Sequence, residues 1–405
     1  MSVIPVAFSL MASFMSAITI LGVSKEIYSF GTQFILINIS YIISTPIVCY
    51  IFLPVFYRLK KISVYEYLEM RFGRVTRLFA SLAFSLQMTL YMGIVLYAPS
   101  LALAAVTGIS ETWSIIAVGV VCTFYSSIGG MKAVLITDVF QSLLMFAAVF
   151  AVGITGLFDF GLAEILNAAA EGDRLEFFNI EVDPRVRHTV WSLGIGGVFT
   201  YCSLYGVNQA QVQRLLTVRS LKKAQGSLWL QWIILMCLSL STSFSGLVLY
   251  AQYRSCDPLL SKQISNTDQY GILCMCIAFM SQYLGTGILQ ASLTIFGAVG
   301  GPLLSVFTLG MLSKTANQKG AVMGLIVGLS LTLWIGFGQP KPSPPYKPRS
   351  IDGCPSNFNL TVAPNGIAAP SLPKDSLLMD PSNTSLASEL DDSASLDTMD
   401  TNEDR

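Results

Sequence analysis

The chain has 405 residues, of which 53% are hydrophobic and only 12% are charged, and its formal net charge is zero. Soluble domains carry about 25% charged residues, so this composition excludes an ordinary soluble protein. Windows of about 20 residues without a charge recur along the chain, and each is long enough to cross the ~30 Å hydrocarbon layer of a bilayer. The sequence therefore predicts a polytopic all-α membrane protein, and the zero net charge gives no basis for a nucleic-acid partner.

The uncharged stretches predict ten membrane spans, near residues 2–23, 29–57, 76–106, 113–129, 134–157, 190–207, 227–250, 271–285, 287–313 and 320–338. Basic residues mark the cytoplasmic side. They are Arg58, Lys60, Lys61, Arg71, Arg74 and Arg77, then Lys132, then Arg214, Arg219, Lys222 and Lys223. The first group flanks "SVYEYLEMRFG", which is typical of a short amphipathic helix on the membrane surface. The connection 158–189 is then extracellular, and its histidine, His188, is predicted to be a solvated loop residue.

The cysteines fall into two groups. Cys256 and Cys354 occur in polar connections and can pair if both face an oxidising compartment. The cysteines in apolar spans are predicted to be small buried hydrophobic residues, namely Cys49, Cys122, Cys202, Cys237, Cys274 and Cys276. The last part of the chain, 339–405, is proline-rich and then rich in Ser, Asp and Glu, which predicts disorder. It contains two N-glycosylation sequons, at Asn359 and Asn383, and each alone is weak evidence because such triplets occur by chance.

The number of spans conflicts with two other signals. Ten crossings from a cytoplasmic N-terminus return the sequons to the cytoplasm and leave Lys314 and Lys319 outside. In addition, the span at 271–285 corresponds to only about 22 Å of helix. Both conflicts disappear if one crossing, together with the start of the next, is missing near residue 270. The sequence therefore predicts a chain that is internally shortened at this point.

Three stretches predict broken helices. In "PVAFSLMASFMSAITILGVSKEIYSFG", residues 5–31, serine and threonine recur through an apolar run that ends at Gly22. Backbone groups freed by a break at membrane depth are tolerated where they line a cavity, as in secondary transporters, although small residues also simply allow close helix packing. The other stretches are "FTYCSLYGVNQAQVQRLL" at 199–216 and "GAVGGPLLSVFTLG" at 297–310, where Pro302 removes a backbone donor. The first two breaks lie about 190 residues apart, as expected for an inverted repeat of five helices.

Four strings add a more specific signal: "GGMKAVLITDVFQ", "YGVNQAQVQRLLTVRSLKKAQGS", "ASLTIFGAVGGPLLSVFTLGML" and "YRSCDPLL". They resemble the sodium:solute symporter family, in the branch of the sodium-coupled monocarboxylate and multivitamin transporters. The resemblance covers roughly residues 1–360 and implies a LeuT-like core of two inverted five-helix repeats. It places the first repeat at 1–157, an extracellular loop at 158–189, the second repeat with an additional helix at 190–338, and the tail at 339–405.

The resemblance also implies the residues of a transport site. The backbone carbonyls of Ala12 and Met15 would bind sodium, the implied cofactor, and Asp138 would lie near the cytoplasmic exit, close to the ion route. For Asp138, an N-cap of the helix after "GGMK" is an equally acceptable reading, and the two roles are compatible. The substrate would lie against Ser13, Phe14, Thr19, Ser203, Leu204 and Tyr205.

The chain also departs from the family. The serine-rich eighth core helix, which completes the sodium site, would fall near residue 270 and has no counterpart. The resemblance predicts a plasma-membrane carrier that moves monocarboxylates such as lactate, pyruvate or nicotinate, or vitamins such as biotin or pantothenate, together with sodium. The alternative is a shortened chain that does not transport and that associates with the full-length carrier. A lone loop histidine, without paired intramembrane carboxylates or metal-ligand spacing, argues against an enzyme.

Overall fold

The computed structural model describes residues 1–61, 63–183, 186–257, 288–338, 346–350 and 352–354, and all of its regular elements are helical. We number the α-helices α1 Val3–Ala12, α2 Ala17–Phe30, α3 Ile37–Ile47, α4 Leu53–Leu59, α5 Tyr65–Phe72, α6 Arg74–Thr107, α7 Glu111–Glu171, α8 Gly197–Tyr201, α9 Gln209–Leu216, α10 Leu221–Tyr253, α11 Ile288–Leu312 and α12 Gln318–Phe337. Short 3-10 and π-helical turns precede α3, join α3 to α4, and flank α8 on both sides.

Six helical stretches of the described chain are long and apolar enough to cross a membrane: Thr32–Leu59, Arg74–Ala104, Thr112–Glu171, Leu221–Tyr253, Leu289–Leu312 and Gln318–Phe337. They agree with most of the predicted spans, and the amphipathic helix predicted after the second span is α5. The span predicted at 271–285 lies outside the described residues. The prediction of a polytopic helical membrane protein is therefore confirmed.

The longest helix, α7, turns at two glycines. Gly130 has φ 58° and ψ −161°, and Gly161 has φ 74° and ψ 154°, backbone conformations that favour glycine because it has no Cβ. Gly130 separates the two spans that were predicted at 113–129 and 134–157. Beyond Gly161 the chain stays helical to Glu171, and Ile165 and Ala168 are buried there. The segment after the turn at Gly161, within the predicted loop 158–189, is therefore a short helix whose apolar side chains pack on the outer core.

The predicted helix break around Pro302 is wrong, because α11 remains helical through this residue. Proline has no N–H, so the carbonyl of Ala298, four residues earlier, loses its helical donor. Thr332 Oγ1 on the neighbouring helix α12 lies 2.6 Å from that carbonyl oxygen, and 2.7 Å from its own Gly328 carbonyl oxygen. A donor from a second helix therefore compensates for the proline.

Changing Thr332 to valine is expected to lower the free energy of unfolding by about 1 kcal/mol, since it leaves the Ala298 carbonyl without this donor. Thermal unfolding in detergent measures the effect. Thr308→Val is the matched control, because its hydroxyl donates to the Leu304 carbonyl of its own helix, at 2.8 Å. Equal losses in the two variants would show that Thr332 does not compensate for Pro302.

The inner ends of the helices are joined by Arg71 of α5. Its Nη2 donates to the Ser313 carbonyl at 2.7 Å, and its Nε and Nη1 donate to the carbonyls of Gly310 and Ala316 at 3.3 and 3.2 Å. The connection between α11 and α12, which carries Lys314, therefore lies on the same side as the basic connection 58–77. Lys314 and the neighbouring Lys319 therefore obey the positive-inside rule, and the conflict between their charges and the predicted number of spans is removed.

Two buried hydrophobic clusters form the core. The inner cluster contains Val6, Leu10 and Met11 of α1 together with residues of α4, α5, α9 and α11. The outer cluster contains Val23 and Ile27 of α2 together with residues of α7, α10 and α11. The gap between α1 and α2 therefore lies at the border of the two clusters, in the middle of the helix bundle.

Candidate functional site

The first predicted helix break is present between Ala12, the last residue of α1, and Ala17, the first residue of α2. Between them the hydrogen bonds are irregular: Met15 N donates to Met11 O at 3.0 Å and Ser16 N donates to Phe14 O at 3.1 Å. The carbonyl oxygens of Ala12 and Met15 lie at this interruption, outside a continuous helix. Such oxygens at membrane depth need a cation, a polar group or water as partner.

The second predicted break is also present. Residues Cys202–Val207 form a π-helical turn, and Asn208 then has an extended backbone with φ −72° and ψ 128°. The Asn208 side-chain oxygen accepts a hydrogen bond from Ala210 N at 3.0 Å and so caps α9. The chain is therefore interrupted twice, once in each half of the sequence.

A cavity lies beside both interruptions. Its hydroxyl-bearing aliphatic residues are Ser16, Thr19, Thr200, Ser239, Thr242 and Ser292. Its aromatic residues are Phe14, Phe34, Tyr41, Tyr91, Tyr201, Tyr205 and Phe296. Within the described chain, no charged side chain lines this cavity.

Of the residues expected to contact substrate, Phe14, Thr19, Leu204 and Tyr205 line this cavity, and so does Met15. The ring of Phe14 is edge-on to two other rings of the lining, Tyr205 at 5.7 Å and Phe296 at 5.4 Å between centroids. Thr19 Oγ1 donates to the Phe14 carbonyl at 3.2 Å, which fixes the backbone across the break.

Ser13 and Ser203, which were also expected at the substrate, are absent from the described lining of the cavity. The Ser13 hydroxyl donates to the Ser9 carbonyl at 2.6 Å, within its own helix turn. Ser203 is buried against α11, where a Cβ built on Gly300 would lie 2.2 Å from its oxygen. Gly300 is therefore required for this close approach between the second break and α11.

Asp138 lies apart from the cavity, among three helices. Its Oδ2 accepts a hydrogen bond from Ser9 Oγ of α1 at 2.5 Å and lies 3.7 Å from Arg214 Nη2 of α9. Both side chains of the ion pair are mostly buried. Asp138 of α7 thus connects α1, which precedes the first break, with α9, which follows the second break.

The histidine predicted to be a solvated loop residue is buried, so that prediction is wrong. His188 is 7% exposed, and its Nε2 lies 2.7 Å from Oε1 of Glu26 near the outer end of α2. Arg187 adds a two-pronged contact to the same carboxylate, at 2.5 and 3.1 Å. The carboxylate draws the loop inward because a buried charge needs a partner. The visible signal in the sequence was Glu26 itself, an acidic residue in an almost charge-free region.

A short segment formed by residues 346–350 and 352–354, which we call the outer strap, covers this end of α2. Tyr346 stacks on Phe30 with 5.1 Å between ring centroids, and Lys347 N donates to the Ser29 carbonyl at 3.2 Å. Arg349 Nη1 lies 3.6 Å from a carboxylate oxygen of Asp257, just beyond α10. The strap thereby connects α2 to the end of α10.

The structure joins Cys256 and Cys354 in a disulfide, with their Cα atoms 4.9 Å apart. Cys49 and Cys202 are buried, as predicted. Cys122 and Cys237 are exposed, so that part of the prediction is wrong, because they lie on helix faces that no other described element covers. Cys274, Cys276 and the sequons at Asn359 and Asn383 lie outside the described residues.

Arg174 fixes the start of the outer loop just beyond α7. Its guanidinium lies 3.8 Å above the ring of Tyr250 and donates to the carbonyls of Gly172 and Tyr28 at 2.5 and 3.1 Å. Burial lowers the pKa of this guanidinium, and the neighbouring Tyr250 partly opposes the shift. The loop is therefore anchored on α10 as well as on α2.

Comparisons with known proteins agree with this geometry. A sequence model of the sodium:solute symporter family matches residues 1–269. A Drosophila melanogaster protein named "Putative sodium-dependent multivitamin transporter" is 49% identical over 431 aligned positions, which cover 88% of this chain and 71% of that protein. The sodium-coupled monocarboxylate transporter 1 of Xenopus laevis is 39% identical, covering 90% of this chain and 71% of the relative. The sodium-dependent multivitamin transporter of Oryctolagus cuniculus is 37% identical, covering 92% and 71%.

Among solved structures, the fold is similar to that of a Na⁺-coupled sialic acid symporter in a substrate-bound, outward-open state. The TM-score is 0.59 at 24% identity, and the match covers 83% of this chain and 74% of that one. This likeness confirms the predicted LeuT-like helical fold. The family consists of transporters, so the prediction that the chain is not an enzyme is also confirmed, and a multi-pass plasma-membrane location agrees with it. The chain belongs to the sodium:solute symporter family.

Proposed function

We propose that this chain binds small organic anions in the cavity beside its two helix breaks and moves them inward together with sodium. Membership of the family makes it a sodium-coupled symporter by descent. The observation that carries the proposal is the interrupted helix between Ala12 and Ala17, which lies beside the cavity and leaves the carbonyl groups of Ala12 and Met15 outside a continuous helix. Unwound carbonyls of this kind coordinate sodium in secondary transporters.

Sodium would be held by the carbonyls of Ala12 and Met15, with Asp138 on its route toward the cytoplasm. Hard cations prefer oxygen ligands, and the Asp138 carboxylate already lies within hydrogen-bond reach of Ser9 in the same helix as Ala12. Arg214, on the other side of Asp138, balances the carboxylate when no cation is near. The ion would therefore pass a site whose charge is compensated before it arrives.

The substrate would be small, anionic and partly apolar. An anion in this cavity meets hydroxyl groups and the N-terminal end of α2, where the helix dipole favours negative charge. The co-transported sodium ion supplies the positive charge that the described lining lacks. The aromatic rings around Phe14 fit the apolar part of a monocarboxylate or an acidic vitamin.

A second candidate function is that of a shortened partner of a complete carrier. The alignment with the Drosophila protein has 431 positions, more than the 405 residues of this chain, so that relative contains internal residues without a counterpart here. The family model also ends at residue 269, beside the place where a missing crossing was predicted. Both observations favour a chain that lacks part of the sodium site. Association with the full-length carrier is the role that we propose for such a chain.

Uptake of labelled lactate, nicotinate and biotin by cells expressing the chain tests the first function. Sodium-dependent symport predicts uptake at least ~5-fold higher in sodium than in choline medium, because bound sodium increases the affinity of the cavity for the anion. Uptake that ignores the replacement would overturn the coupling. Co-expression with a full-length family member tests the second function, which requires a change in the surface level or activity of that carrier.

Asp138→Asn is expected to raise the sodium concentration for half-maximal uptake or binding about tenfold, the equivalent of ~1.4 kcal/mol, because an amide attracts a cation less than a carboxylate does. The substitution keeps the hydrogen bond from Ser9. Asp159→Asn, at an exposed position of the same helix, is the control and should leave the sodium dependence unchanged. The same sodium dependence in both variants would remove Asp138 from the ion route.

A further inference from the structure

Tyr201 forms part of the wall of the cavity and is almost completely buried. It is 1% exposed, and its ring lies between those of Tyr41 and Tyr205, at centroid distances of 5.3 and 4.5 Å. Tyr205 in turn contacts Phe14 at the first helix break. A displacement of the Tyr201 ring would therefore move Tyr205 and, through it, Phe14 in the cavity lining.

The hydroxyl of Tyr201 is held by two side chains from different halves of the molecule. It donates to Oε1 of Gln231 on α10 at 2.9 Å, and it lies 3.0 Å from Oγ1 of Thr45 on α3. All three side chains are buried. The Tyr201 hydroxyl is thus held by α3 and α10 together, and this fixes the position of the ring.

Gln231 is an unexpected residue at this place. It is 0% exposed, and its Nε2 has no hydrogen-bond partner within the described chain. An unpaired buried amide costs about 1–3 kcal/mol, so it needs a compensating role. Gln231 lies one turn before Leu235 and two turns before Leu238, and both of these line the cavity. The position therefore belongs to the cavity face of α10.

We propose that Gln231 is a positioning residue, which fixes the Tyr201 ring in the cavity wall and thereby sets the size of substrate that the cavity accepts. This inference rests on the proposed function, because it takes the cavity to be the substrate site. A glutamine that only joins helices is available for comparison on the same helix. Gln225 donates from Nε2 to the Cys49 carbonyl at 3.0 Å. Cys49 is absent from the described lining of the cavity, whereas Tyr201, the partner of Gln231, belongs to it.

The test uses the purified full chain and measures sodium-dependent binding of two probes of different size, lactate and biotin, by thermal stabilisation. Gln231→Leu and Tyr201→Phe are each expected to change the biotin-to-lactate ratio of dissociation constants by about fivefold or more, a typical size for a changed pocket wall. Because both changes break the same hydrogen bond, the double variant should change the ratio no further. Gln225→Leu should lower the unfolding temperature and leave the ratio unchanged.

Each other outcome is decisive. If the ratio is unchanged in Gln231→Leu while Tyr201→Phe changes it, Gln231 does not position the ring. If Gln231→Leu does not fold, Tyr201→Phe, which keeps the ring volume, must show the change by itself, and an unchanged ratio there overturns the inference. If the wild-type chain binds neither probe in sodium, the proposed function fails and this inference fails with it. Wild-type binding with unchanged variants overturns only the inference.

Discussion

Glu26→Ala is expected to destabilise the protein by about 3–5 kcal/mol, the range observed when one partner of a buried ion pair is removed. The substitution leaves the Arg187 guanidinium without its two-pronged acceptor and His188 without its 2.7 Å partner. Glu26 is also close to Phe30, over whose ring the Arg187 guanidinium lies at 4.4 Å. Thermal unfolding in detergent and the amount of protein at the cell surface both measure the loss.

Glu164→Ala provides the control for this prediction. Glu164 pairs with Arg254 at 2.8 Å, but the two side chains are 47% and 38% exposed, so the loss should stay within about 1 kcal/mol. Glu26→Gln should fall between the two, because its single amide oxygen can keep the contacts that Oε1 makes, while the charge and the acceptor for Arg187 Nη2 are lost. If Glu26→Ala were no more harmful than Glu164→Ala, the buried cluster would contribute nothing to stability.

Arg71→Met is expected to cost about 2–3 kcal/mol, because it removes charged donors from three carbonyl oxygens at the end of α11. Those carbonyls have no later helical residue to serve as donor. Arg71→Lys should restore less than half of the loss, since an ammonium group cannot reproduce the planar fork that reaches Gly310, Ser313 and Ala316 together. The measurement is again thermal unfolding in detergent.

Arg74→Met is the matched control on the same connection. Its side chain is 93% exposed and forms a surface ion pair with Glu69, so little change is expected. The contrast between the two variants separates a specific cap from the general effect of removing a positive charge at the cytoplasmic face. Equal effects of Arg71→Met and Arg74→Met would contradict the cap.

The sequence predicted both helix breaks because their causes are local. Small and hydroxyl-bearing residues surround Ser13, and Asn208 can cap the helix that follows it. The predicted break at Pro302 failed because its cause is not local. The hydroxyl that compensates for the proline comes from Thr332, 34 residues from the carbonyl that it contacts. A helix break with local causes can be predicted from a short stretch of sequence. A helix that continues through proline because a neighbouring helix supplies a donor cannot be predicted in this way.

The candidate site was predictable only where the resemblance supplied residues. Phe14, Thr19, Leu204 and Tyr205 line the cavity as the resemblance implied, while Tyr201 and its partner Gln231 were missed. A usable signal was present, since Gln231 interrupts the apolar run "LWLQWIILM" and polar residues within spans are functional candidates. Its partner could not be found, because Tyr201 and Gln231 are 30 positions apart in the sequence and lie on either side of the second break.

The disulfide between Cys256 and Cys354 closes a covalent ring of chain, and the two ends of that ring meet at one face of the membrane. Within the ring, α11 and α12 make one excursion to the opposite face and back. A closed path that starts and ends on one face passes through the bilayer an even number of times. The two passages of α11 and α12 satisfy this condition, so the disulfide can close between the end of α10 and the outer strap.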